Sequence, residues 1–141
     1  MYRKIVVCII HYNKEILLQL RSFDKKIIHP GKWGYFSGSV NVNENSLTAI
    51  KRELKEELNL NNFKNLKFLI KYLDAPKKDI FDIFTLKIFK KKLTLKEGED
   101  FGYFKNYELS KAKKSKKLNK YCINADKKLM KNLIKKFWKN F

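Results

Sequence analysis

The chain has little cysteine, two residues in 141. Cys8 and Cys122 stand far apart, so the sequence offers neither a disulfide framework nor a CxxC ligand pair. That scarcity fits a reducing cytoplasm. Glycine and proline are sparse too, five and two, and they gather into no flexible linker that would mark an internal boundary. Long apolar runs are missing: the first, Ile5 to Ile10, is closed by His11 and is too short for a signal core or a membrane span. No targeting segment and no membrane partner are therefore expected. Acid is scarce as well, 14 residues against 33 Lys and Arg, which leaves a formal charge of +19. A charge that large repels itself unless anions are near. Two readings stay open: a phosphate-bearing partner, or a lysine-rich composition with no partner behind it.

What is present is enough to fold. The chain is 44% hydrophobic and 14% aromatic with 33% charged residues, too apolar for a disordered segment and too charged for a membrane protein. Its length predicts one domain over residues 1–141. β-Branched runs at Lys4–His11 and Glu15–Leu20, split by a polar turn, predict a hairpin. A loop at Pro30-Gly31 should lead into one short strand through Trp33, Tyr35 and Phe36 that stops at Ser37-Gly38. Further strands are expected at Leu66–Leu73, Ile80–Phe89 and Phe101–Phe104. Apolar residues at 129, 130, 133, 134, 137, 138 and 141 predict a basic amphipathic C-terminal helix.

The clearest helix spans Ser46–Leu58, with Leu47, Ile50, Leu54 and Leu58 on one face. Asn45 or Ser46 suits its N-cap, and Asn59 tolerates the left-handed conformation at its end. The chain has eight glutamates, at 15, 44, 53, 56, 57, 97, 99 and 108, and four of them fall between Glu44 and Glu57. On the helix, Glu53, Glu56 and Glu57 are three and four apart, so like charges crowd one side. Clustered carboxylates without His or Cys make a hard oxygen site, suited to Mg²⁺ or Mn²⁺.

These residues resemble the Nudix box. Gly38, five residues, Glu44, seven residues, then Arg52-Glu53-Leu54-Lys55-Glu56-Glu57-Leu58-Asn59-Leu60 follow its pattern at every position but one, where Asn59 replaces a glycine. Leu17–Arg21 and Pro30–Gly34 also look like the family's flanks. The resemblance implies an α/β/α sandwich with a mixed, partly antiparallel sheet, the Nudix helix on one side and the C-terminal helix on the other. It implies a pyrophosphohydrolase that cleaves the diphosphate linkage of a nucleoside di- or triphosphate derivative, with an RNA 5′ end as the alternative substrate and a non-catalytic nucleotide-binding module as a third reading. It also implies that Glu53, Glu56 and Glu57 are metal ligands, with Glu53 or Glu57 as the base, while Arg52 and Glu44 hold the site in place. Ser37 stands where the family commonly has glycine, and its carbonyl remains a candidate ligand. Glu97 or Glu99 is a further candidate from the downstream loop, beside the plainer reading of solvated acids in a turn. Arg21, His29, Lys32, Trp33 and Gly38 are candidate substrate contacts, with core packing as the other reading of Trp33. Oligomeric state is left open.

Overall fold

The fold is that of a computed structural model that describes residues 1–27, 30–89, 93–94 and 100–105. In chain order the elements are β1 (Arg3–Tyr12), β2 (Glu15–Leu20), β3 (Trp33–Gly34), β4 (Phe36–Ser39), α1 (Ser46–Leu58), β5 (Leu66–Asp74), β6 (Asp79–Lys87) and β7 (Asp100–Lys105). The helix expected over 129–141 lies outside the described residues. The chain divides into two compact units, Met1–Asn13 with Tyr35–Glu97, and Lys14–Gly34 with Gly98–Phe141.

In the first unit β1 is the central strand. Its β-branched stretch Val6–Ile10 is buried, as a strand covered on both faces requires. It pairs antiparallel with β4 and parallel with β6, and β6 pairs antiparallel with β5. The sheet is therefore mixed. One rung crosses all four strands: Gly38 opposes Val6, Val6 opposes Asp82, and Asp82 opposes Lys71. Side chains on one rung leave the sheet on the same face.

Helix α1 has the bounds its apolar spacing predicts. Asn45 is the N-cap, its side chain accepting a hydrogen bond from the Thr48 N–H at 2.8 Å. Asn59 closes the helix in the left-handed region at φ 54°, and its N–H reaches the Lys55 carbonyl at 2.9 Å. Asparagine thus does here what glycine does in the box pattern. Ile50, Leu54 and Leu58 are buried, each contributing about 1.5–3 kcal/mol by leaving water. Leu47 departs from expectation: it is exposed, and Ala49 takes the buried place beside Ile50.

In the second unit β2 pairs antiparallel with β3 and β7. The single strand expected through Trp33 and Phe36 is two strands, β3 and β4, with different partners. The alternation of large residues cannot show a change of neighbour at Tyr35. Before β2, Asn13 and Lys14 both have positive φ, the backbone of a tight two-residue reversal.

Candidate active site

Arg52 organises the site, because a guanidinium presents its donors in a rigid fork. Its Nε and Nη2 donate to the two oxygens of Glu44, at 2.9 and 3.0 Å. Nη1 donates to Glu53 Oε1 at 2.8 Å and to Glu56 Oε2 at 3.4 Å, and Nη2 also reaches the Ser39 carbonyl at 2.9 Å. One side chain on α1 thereby fixes the loop before the helix, the end of β4 and two carboxylates on its own helix. Glu44 also accepts the Asn41 N–H, which ties the loop to itself. The hydrogen bonds from Arg52, then that from Asn41, bring the Glu44 carboxyl down to about 2. The same pairing, with Glu44 first and Glu53 after it, raises the Arg52 pKa. Both groups are therefore charged at neutral pH.

Glu53 lies against Gly38. A Cβ at residue 38 would fall 2.0 Å from the Glu53 carboxyl carbon and oxygen. Gly38 has no positive φ, so glycine is required for the space Glu53 fills and not for a special backbone angle. Sequence spacing alone could not distinguish these reasons. Glu57, one turn on, is 5% exposed and sits near Cys8, whose thiol is pushed up by burial and then by the Glu57 charge. Glu56 is different: its side chain is half exposed. The three acids expected on one side therefore divide into a sheet-facing pair, Glu53 and Glu57, and a solvent-facing third.

The neighbouring residues divide similarly. Ser37 lies in β4 opposite Val7, an extended position that accepts a Cβ. Trp33 is 2% exposed and packs edge-to-face on Phe104 at 5.2 Å between centroids, so the core reading describes it, and its buried ring does not offer a stacking face. Arg21 and Lys32 are half-buried, joined by a backbone bond from the Arg21 N–H to the Lys32 carbonyl. His29, Glu97 and Glu99 lie outside the described residues.

Two contacts were not foreseen. The Ser39 carbonyl has no side-chain signature. The Ser46 hydroxyl donates to Asp82 Oδ2 on β6, and its only trace in the sequence is that Asn45 and Ser46 both suit the cap. Asp82 also pairs with Lys71 Nζ at 2.9 Å. Burial acts to raise the Asp82 pKa, but the Ser46 and Lys71 hydrogen bonds and the charges of Lys71 and Lys4 outweigh it, and the net shift is downward.

Among the described residues, no three His, Cys, Asp or Glu side chains close around a single point, and the Arg52 guanidinium stands between Glu44, Glu53 and Glu56. An open, all-carboxylate set fits a hard cation that keeps part of its water shell, as Mg²⁺ does. It contains none of the His and Cys ligands that closed structural zinc sites use.

The family model described as NUDIX domain matches residues 1–125. No curated protein sequence matches the chain. Among solved structures, the fold is similar to the MutT protein of Methanosarcina mazei, at 20% identity over 95% of this chain and 93% of that one, TM-score 0.70. It is also similar to the dihydroneopterin triphosphate pyrophosphohydrolase of E. coli, at 15% identity over 95% and 97%, TM-score 0.68. A MutT/nudix family protein of Enterococcus faecalis matches at 22% identity and TM-score 0.61 over 74% of this chain, which spans only 44% of that chain. With the box residues gathered around Arg52 and the family model matched over most of its length, the chain belongs to the NUDIX domain family.

Proposed function

We propose that this chain is a divalent-metal-dependent pyrophosphohydrolase that cleaves the diphosphate linkage of a nucleoside di- or triphosphate derivative by attack of water on phosphorus. The observation that carries this reading is the sheet-facing pair Glu53 and Glu57, one restrained by Arg52 and fitted against Gly38, the other buried beside Cys8. A structural helix gains nothing from burying the Glu57 carboxylate, which costs desolvation.

Glu53, Glu57 and the more exposed Glu56 would hold Mg²⁺ or Mn²⁺, with the Ser37 carbonyl as a further donor and Glu99, outside the described residues, as another candidate. Bound there, the cation supplies the positive charge that lets a diphosphate accept a nucleophile and release a phosphate. The protein's share is positional. Arg52 aims the Glu53 carboxylate, Glu44 anchors Arg52, and Glu53 or Glu57 removes the proton from the attacking water. Arg21 and Lys32 are the cations proposed to meet substrate phosphates.

The alternative substrate is an RNA 5′ end, favoured by the +19 charge. A screen of nucleoside triphosphates, nucleotide sugars, dinucleotides and 5′-triphosphate RNA, with Mg²⁺ or Mn²⁺, tests both. Turnover that EDTA abolishes and Mn²⁺ restores is expected, and full turnover in excess EDTA would refute the metal site. Steep loss of activity with added salt would select the polymer, because each phosphate contact releases counterions.

A further inference from the structure

We infer that Asp82 is a positioning residue for the carboxylate helix, acting through the hydroxyl of Ser46. This rests on the proposed use of Glu53 and Glu57 but adds residues outside the box.

At 3.6 residues per turn, positions 46, 53 and 57 fall within about 20° of one line along α1, so Ser46, Glu53 and Glu57 share one stripe. The stripe meets the sheet at three points. Ser46 donates to Asp82. Glu53 occupies the space above Gly38. Glu57 lies near Cys8.

Asp82 and Gly38 belong to the same rung, separated by β1 at Val6. Two strand spacings make about 9.6 Å between them. Seven residues of helix make about 10.5 Å between Ser46 and Glu53. The two lengths are similar, so a helix crossing the strands can meet both points. Cys8 lies two residues along β1 from Val6 on the same face, opposite Phe84 and Phe36.

The tether removes two freedoms that apolar packing leaves loose. Ile50, Leu54 and Leu58 hold α1 on the sheet but are non-directional. A hydroxyl-to-carboxylate bond is directional and charge-assisted. It fixes both the slide of the helix along its axis and its rotation about it. Lys71 Nζ, on the neighbouring strand, forms an ion pair with the other Asp82 oxygen at 2.9 Å.

The test compares wild type with Ser46→Ala, Ser46→Thr, Asp82→Asn and the double variant Ser46→Ala/Asp82→Asn. The readouts are Mn²⁺ affinity by electron paramagnetic resonance, kcat and KM for the nucleotide that the screen identifies, and amide hydrogen exchange over α1. Ser46→Ala is expected to weaken Mn²⁺ binding about fivefold and lower kcat about tenfold, with KM within about twofold. The double variant should be no worse than the worse single variant, and Ser46→Thr should recover both constants. Ser46→Ala indistinguishable from wild type, or single effects that multiply in the double variant, would overturn the inference. If Asp82→Asn does not fold, the Ala and Thr variants of Ser46 decide alone. A wild-type protein with neither Mn²⁺ binding nor turnover would instead overturn the proposed function. In that case faster exchange across α1 in Ser46→Ala, reversed in Ser46→Thr, supports the tether, and unchanged exchange overturns it.

Discussion

Gly38→Ala isolates the site's geometry from its chemistry, because it adds one methyl and removes no functional group. The new Cβ would stand 2.0 Å from the Glu53 carboxyl, where ordinary contact begins at 3.4 Å, so that carboxyl must retreat by about 1.4 Å (3.4 − 2.0). The Glu53 Cγ, 2.6 Å from the same point, must move with it, and because both belong to one flexible side chain the fold should survive. Overpacking of this kind costs about 1–3 kcal/mol. At about 2–4 °C per kcal/mol for a chain of this size, Tm should fall by no more than about 12 °C. The catalytic cost should be far larger. The retreat takes Glu53 from its 2.8 Å contact with Arg52, and misplacement of a reacting group by about 1 Å costs about 10²-fold. We expect kcat to fall about 10²-fold and Mn²⁺ affinity to weaken, measured by phosphate release and paramagnetic resonance, with scanning calorimetry reporting the fold. A variant within threefold of wild type in kcat, with unchanged Mn²⁺ affinity, would refute the claim that Gly38 exists to make room for Glu53.

Three other perturbations probe separate parts of the site and the fold. Arg52→Ala removes the restraint on Glu53 and the fork on Glu44 together, so metal affinity and rate should both drop, and unchanged titration and kinetics would reduce Arg52 to a surface residue. Glu57→Gln keeps shape and loses charge; kcat should fall about 10²-fold or more while circular dichroism stays unchanged, and activity within threefold would remove Glu57 from the ligand set. His11 is brought down from 6.5 to about 4, first by burial and then by the charge of Lys87. Between those values the unfolded chain binds more protons than the folded one, so the stability from neutral His11 is complete above pH 6.5 and is lost as pH falls toward 4. Melting curves should show a steeper decline over that window in wild type than in His11→Gln, and equal slopes would show that His11 does not titrate as described.

The parts legible in the sequence are those governed by local rules. The span of α1, its asparagine end and the bounds of β2 follow from spacing, cap chemistry and β-branching within a few residues. The box pattern located Glu44, Arg52 and Glu53 because their contacts join residues close in sequence or on one helix. What was hidden depends on pairing between distant strands. Paired residues of β1 and β6 are 76 positions apart, and nothing near Asp82 signals that it opposes Val6 or receives Ser46. The division of Trp33 from Phe36 into separate strands had the same cause. Leu47 misled because periodicity identifies a stripe, while the helix's seating decides which edge of the stripe is wet.

The short pairing of β4 with β1, four residues from Ile5↔Ser39 to Cys8↔Phe36, makes strand alignment a kinetic parameter. A slip of one residue would turn Gly38 to the opposite face of the sheet. A slip of two would restore the face but carry the glycine about 6.8 Å from Glu53 and put another side chain in its place. A slip of one would also turn the fully buried Phe36 to the opposite face, whereas a slip of two keeps the alternation and could yield compact, helical, inactive molecules. Specific activity after refolding would then count the fraction of chains in correct alignment, a quantity that circular dichroism and gel filtration do not resolve.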